Sequence, residues 1–177
     1  ADCRSVDIVR TPLDDIRDPI AFGRLMDEIN KGEFDAALIS PPCGTFSIAL
    51  SHSLRGTTAS EIYGLKGLSP EDTAKVKVGT LLAMRAHAIA SLFTDLQLPW
   101  IVEQPEQVEG QPSLFLLPPW KVLLSHRDVT TCTLAQRQYG AEWQKRTTLK
   151  AYLVDLDALG GNAPHQVFKF RNGHPHD

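Results

Sequence analysis

Cysteine is scarce in this chain, and its three copies, Cys3, Cys43 and Cys132, make an odd number. Such a count offers no paired framework, so a disulfide-stapled secreted fold is not expected, and a reducing, intracellular location (cytoplasm, nucleoid or nucleus) is. A surplus of positive charge is missing too. The net charge is −3 and the pI about 6.1, which removes the global signature of a nucleic-acid binder and confines any contact with DNA to a local patch. No stretch approaches the roughly 20 apolar residues of a membrane span, and no charged-then-apolar leader precedes the rest, so no membrane partner is expected. Internal repeats and low-complexity tracts are absent as well. What is there is a chain of 177 residues, 42% apolar, long enough to bury a real core and most economically read as one domain over 1–177.

The organising stretch is Asp35–Ser47. Ala36–Ile39 is a short unbroken apolar run of the kind shown by a strand buried on both faces, and Pro41-Pro42 must end it because neither residue can donate to a ladder. Cys43 then stands just past a strand end. In open α/β sheets ligands bind at the carboxyl ends of strands, and Gly44 lets a substrate approach the backbone closely. Cys43 is therefore either a small half-buried hydrophobe or a nucleophile.

The flanking chain supplies elements. Val6–Val9 is a strand candidate broken by Thr11-Pro12, and a second short segment follows at Leu13–Ile16. Asp18-Pro19 opens a helix with Ile20, Phe22, Leu25, Met26 and Ile29 on one face and Gly32 as its stop. Ser51–Leu68 is polar and marked by Gly56, Gly64 and Gly67, a long loop directly after Cys43 in which Arg55 is either a phosphate contact or a solvated arginine. Ser69-Pro70-Glu71-Asp72 starts a long helix to about Gln97, its apolar stripe being Val78, Leu81, Leu82, Ile89, Leu92, Phe93 and Leu96, with Arg85 and His87 on the flanks. Trp100–Val102 is the next buried strand and ends at Glu103-Gln104-Pro105. A short apolar turn at Ser113–Leu117, a brief helix at Trp120–Leu124, a strand at Val129–Leu134 that holds Cys132 as a structural residue, and a strand at Thr147–Val154 complete the reading. Alternating helix and strand predict an α/β fold with a mostly parallel sheet, which sends Cys43 and Glu103 to one carboxyl edge. The tail Gly160–Asp177 reads as irregular, and its His165, His174 and His176 match no metal-site spacing, so no metal is expected.

Three segments together carry a resemblance. Pro41-Pro42-Cys43 followed by Phe46-Ser47 resembles the catalytic loop of the DNA cytosine-5 methyltransferases. Glu103-Gln104-Pro105 resembles that family's Glu-Asn-(Val or Pro) motif, with Gln104 in place of Asn. Gln138–Thr147 is similar to its Tyr-Gly-x-Pro-Gln-x-Arg-x-Arg segment lengthened by one residue, with Gln144 and Arg146 on the Gln and the first Arg, and Thr148 where the second Arg stands. More weakly, Asp15-Ile16 resembles the segment that touches the adenine of S-adenosylmethionine, and Asp7 the acid that binds its ribose hydroxyls. The family's Phe-x-Gly-x-Gly loop, large target-recognition region and closing C-terminal motif are not found. The resemblance thus points to a Rossmann-like S-adenosylmethionine-dependent methyltransferase fold, incomplete at the N-terminus or of the compact, divergent kind found in phages and mobile elements.

The family chemistry needs such a pair. Cytosine C5 is a poor nucleophile until a thiolate adds at C6 and turns the ring into an enamine, and a carboxyl that protonates or hydrogen-bonds N3 lowers the barrier to that addition. The resemblance implies Cys43 as nucleophile, Glu103 at N3 and Arg146 on the base carbonyl or a flanking phosphate, with the base flipped out of the duplex. It further implies Asp7, Asp15, Ile16 and Pro41 at S-adenosylmethionine, and Ser47, Arg55, Gln104, Gln144 and Lys145 at the DNA. Two rivals stay open: a non-catalytic DNA-binding or interaction module of the same family, and an unrelated thiol enzyme pairing Cys43 with His52.

Overall fold

A computed structural model describes residues 2–7, 9–46, 52–139, 146–156 and 169–170. Among the described residues of Val6–Val9 no strand forms. Asp7 instead closes a turn, its carboxylate accepting from the Val9 N–H at 2.8 Å and its carbonyl from the Arg10 N–H at 2.9 Å, local bonds that compete with a ladder. Pro12–Asp14 is a 3-10 turn capped by Thr11.

Helix α1 (Pro19–Asn30) begins where the sequence places it: Asp18 accepts from the Ala21 N–H at 3.0 Å and Pro19 takes the first position. Ala21, Leu25 and Ile29 turn inward, while Ile20 is left 80% exposed. Gly32 at φ +77° ends the helix in a conformation that costs a glycine little. Strand β1 (Ala37–Ile39) leads into the Pro41-Pro42-Cys43 loop, and helix α2 (Pro70–Asp95) then crosses back. Ser69 caps it, its hydroxyl accepting from the Asp72 N–H at 3.0 Å and donating to the Asp72 carboxylate at 2.8 Å.

The face that α2 buries differs from the expected leucine stripe. Val76, Gly79, Ala83, Ala86, Ala90 and Phe93 point inward at alternating steps of three and four, whereas Val78, Leu81 and Leu96 are exposed. Small side chains let the helix lie close to its neighbours. By length and composition this helix, 26 residues with a window hydropathy of 1.3, could cross a membrane, which corrects the expectation that no segment is long and apolar enough. Alanine-rich content spreads the hydropathy without an aliphatic run. Here the small-residue face packs into the core shared with α1, β1 and β2.

Strand β2 (Trp100–Pro105) pairs with β1 in parallel, Ala37 opposite Trp100 and Ile39 opposite Val102. After a 3-10 turn at Leu114–Leu116 and helix α3 (Pro118–Leu124) comes β3 (Val129–Ala135), and then β4 (Arg146–Tyr152), which inserts antiparallel between β2 and β3. Sheet order is therefore β1-β2-β4-β3. Leu153 breaks β4 at φ 56°, and β5 (Val154–Asp155) pairs antiparallel with β6 (Lys169–Phe170) in a second, two-stranded sheet. The tail Gly160–Asp177 otherwise lies outside the described residues.

This corrects the expected fold class: the sheet is mixed, not mostly parallel and Rossmann-like. Only β1 and β2, joined by the long α2 crossover, run parallel. The link from β3 to β4 is too short for the helical crossover that a parallel neighbour requires, so that pair is antiparallel. The three helices share one face. There Trp100 and Trp120, both fully buried, meet edge to face at 6.5 Å, and Trp100 stacks on Tyr152 at 6.2 Å. Each indole N–H is satisfied, Trp100 donating to Thr94 Oγ1 at 2.8 Å and Trp120 to the Ala83 carbonyl at 3.0 Å. The opposite face carries a smaller cluster of Ala151, Val154 and Leu156 with Ile101, Cys132 and Leu149, beside which Leu38 on β1 is 74% exposed.

His87 is held neutral against this core. Burial pulls its pKa below 6.5, and its Nε2 lies 3.1 Å from the Pro119 carbonyl, as a donor to it. Below that pH the unfolded chain binds a proton that the folded chain resists, so this contribution is present above pH 6.5 and lost as pH falls through the depressed folded value. Melting temperatures recorded from about pH 7.5 down to about pH 5 should fall more steeply for the native chain than for His87→Gln; equal slopes would remove His87 from the account.

Candidate functional site

Because β1 and β2 are adjacent and parallel, the segments that follow them leave the sheet at one edge. Past β1 the backbone runs through Pro41 and Pro42 to a half-buried Cys43, whose carbonyl accepts the Phe46 N–H at 2.8 Å and starts the 3-10 turn Gly44–Phe46. At the end of β2, alternation sends Gln104 to the helix-covered face with Trp100 and Val102, and Glu103 to the opposite face with Ile101. Glu103 is half-buried across from Leu149.

The two loops are tied to each other. Gln104, 2% exposed, donates its amide N–H groups to the Pro41 carbonyl at 2.8 Å and to its own neighbour's carbonyl, that of Glu103, at 2.9 Å. Its Oε1 is buried without a hydrogen-bond partner among the described residues. Gln104 thus clamps the approach to Cys43 onto the strand that carries Glu103. Sequence reasoning had placed it against DNA, but its amide points into the protein.

On the other side of Cys43 the anchor is Arg55. This guanidinium, read from the sequence as a phosphate contact or a solvated side chain, is 1% exposed. It donates to Thr45 Oγ1 at 2.9 Å, to the Ile62 carbonyl at 2.7 Å, to Thr80 Oγ1 at 3.0 Å and to the Val76 carbonyl at 2.9 Å, and it lies 3.8 Å from the centre of the Phe46 ring. Burial brings its pKa down to about 10, still far above neutrality, so the group is a cation inside the fold. Gly79 makes room: a Cβ there would meet Thr45 Oγ1 at 2.5 Å and Arg55 Nη2 at 3.1 Å. A glycine within a long helix, followed by a small-residue period, was the signal in the sequence that something packs there closely.

Arg146 opens β4, and since β4 runs antiparallel to β2 its start lies at the same edge as Glu103. The exposed guanidinium is 2.6 Å from Glu106, which raises its pKa, and Glu106 N–H returns a bond to the Arg146 carbonyl at 3.0 Å. Thr148, in the place of the family's second arginine, is buried, accepts the Gln107 N–H at 3.3 Å and shares a hydrogen with Thr133 at 3.2 Å. Ser47, Gln144 and Lys145 lie outside the described residues. His52, the partner in the thiol-histidine rival, has its Nε2 3.4 Å from the Asp72 carboxylate at the head of α2.

The residues expected at S-adenosylmethionine each have partners within the chain. Asp15 is gripped by Arg17 through its backbone N–H at 3.0 Å and two guanidinium contacts at 2.8 Å, a pairing that lowers the Asp15 pKa. Asp7 uses Oδ1 on its own turn, Ile16 packs against the core, and the Pro41 carbonyl belongs to Gln104.

Two substitutions test the anchors. Arg55→Met should destabilise by about 3 kcal/mol, because it strands the Ile62 carbonyl and the Thr45 and Thr80 hydroxyls, and denaturant unfolding would read it. Gln104→Glu should cost about 1–3 kcal/mol more than Gln104→Met, since a carboxylate would face two carbonyls with nothing to donate; the reverse order in thermal melts would sink the clamp. No protein-family model, no curated protein and no solved structure matches this chain, so the reading of its site stands on these residues and their geometry.

Proposed function

We propose that this chain acts on cytosine in DNA, with Cys43 as a covalent nucleophile and Glu103 as the group that serves N3. The single observation that carries this reading is the parallel pairing of β1 and β2, which brings the Pro-Pro-Cys loop and the Glu-Gln-Pro strand end to one edge, joined by the Gln104 bond to Pro41. In the step proposed, the Cys43 thiolate forms a bond to C6 of a flipped base. The C5–C6 π pair shifts toward N3, where Glu103 supplies a proton or a hydrogen bond, and C5 becomes an enamine carbon able to take an electrophile. Arg146, itself exposed and paired among the described residues with the half-buried Glu106, can swing from that carboxylate to the base carbonyl or a phosphate.

Thiol addition needs only Cys43, Glu103 and the base. A methyl sulfonium would complete the reaction in the family this site resembles, but the engagement of Asp15 by Arg17 favours a second reading, a DNA-binding or interaction module that keeps the loop without the transfer. One assay separates them. DNA containing cytosine is incubated with the chain in heavy water, and the nucleosides are weighed. Addition at C6 lets C5 take up a deuteron before the thiolate leaves, so 5-deuterocytosine should appear with the native chain and vanish with Cys43→Ser. Exchange that survives Cys43→Ser, or no exchange with DNA demonstrably bound, overturns the nucleophile and leaves the module. Added S-adenosylmethionine, read as 5-methylcytosine, then tests the transfer separately.

A further inference from the structure

A cleft of about 480 Å³ opens on the helix-covered face of the sheet, on the β3 side, with Thr57 from the loop after Cys43 also on its lining. Its floor is strand: Thr131 and Thr133 of β3 lie directly across from Lys150 and Thr148 of β4, so all four side chains share one face. Its far wall is the loop after β2, with Gln107, Val108 and Gln111, and the Leu116 side chain closes one end.

The floor is rich in donors. Lys150 is half-buried, and its partners among the described residues are Thr131 Oγ1 at 3.3 Å and the ring of Phe115 at 5.0 Å, so two of its three N–H groups are left to give. Thr131 accepts from Lys150 and keeps its own O–H as a donor. Thr148 accepts the Gln107 N–H and shares one hydrogen with Thr133, which leaves that pair one O–H to give. Desolvation by burial also lowers the Lys150 pKa, and no carboxylate among the described residues pairs with it. Among the described lining residues the acid is Glu109, which stands exposed in water. A fixed cation with several convergent hydroxyl donors calls for a ligand whose oxygens only accept. The loop wall offers amides and an apolar patch, which suit the edge and face of a heterocycle, and the volume lies within the ordinary range for small-molecule sites.

We infer that this cleft binds a nucleotide-sized phosphomonoester, its phosphoryl oxygens on Lys150, Thr131 and the Thr133–Thr148 pair, and its heterocycle along Gln107, Val108 and Gln111. Titration calorimetry with deoxycytidine 5′-monophosphate, inorganic phosphate and deoxycytidine tests it on the full chain. The monophosphate should bind saturably, inorganic phosphate more weakly, and the nucleoside at least about tenfold more weakly than the monophosphate. Lys150→Met should weaken the monophosphate by about tenfold or more, and circular dichroism checks that Lys150→Met is folded. Should that variant not fold, Thr133→Val, at an exposed position on β3, serves in its place, with a loss of several-fold expected. No saturable binding of the monophosphate, equal binding of the nucleoside, or affinity indifferent to both floor substitutions would overturn the assignment.

Discussion

A cation buried in the middle of the fold dictates much of the geometry around Cys43. The Arg55 guanidinium cannot be left without acceptors inside a protein, because an unpaired buried charge costs several kcal/mol or more. Thr45, Ile62, Val76 and Thr80 must therefore converge on it, and Phe46 must lay its ring against it. That convergence pins a long, glycine-marked loop to α2 and explains why a helix of 26 residues tolerates Gly79 in its buried face. The chain just after Cys43 is fixed from behind by a charge, and the chain just before it is fixed from the side by the Gln104 amide. Cys43 is thus held between two anchors on different elements, the kind of support by which a reactive group keeps its place.

The mixed sheet adds the third participant. If β4 had followed β3 in parallel, its start would stand at the opposite edge. Inserted antiparallel beside β2, it delivers Arg146 next to the end of the Glu103 strand, and it sets Lys150 and Thr148 on the helix-covered face beside Thr131 and Thr133. One topological choice therefore builds both the edge with Cys43, Glu103 and Arg146 and the donor-lined cleft on the face. Glu103 and Gln104, neighbours in sequence, serve opposite faces by the strand's two-residue period, one toward the candidate chemistry and the other into the packing that supports it.

Local signals were legible wherever the physics is local. Asp18-Pro19 and Ser69-Pro70 mark helix starts because a cap and its amide are three residues apart, and Pro41-Pro42 marks a strand end because proline has no hydrogen to give. The Glu103 strand end and the Cys43 loop could be placed from apolar runs alone. Misreadings arose where the deciding partner is far along the chain. Val78 and Leu81 look like core by hydropathy, yet the neighbours of α2 require small residues, so Ala83, Ala86 and Ala90 take the inside. Arg55 looks like a surface charge, and nothing near it in sequence announces the acceptors at Val76 and Thr80.

By itself the sequence determined the helices α1 to α3, strands β1 to β3, the start of β4 and the two polar strand ends, since each depends on residues within a turn or two. The tertiary structure alone decided the direction of β4, the placing of Asp15 with Arg17 and of Gln104 with Pro41, and the burial of Arg55. Strand direction depends on which neighbour a connection can reach, and the fate of a charge depends on the acceptors that packing brings to it. Both are settled by contacts across tens of residues, which composition and periodicity do not record.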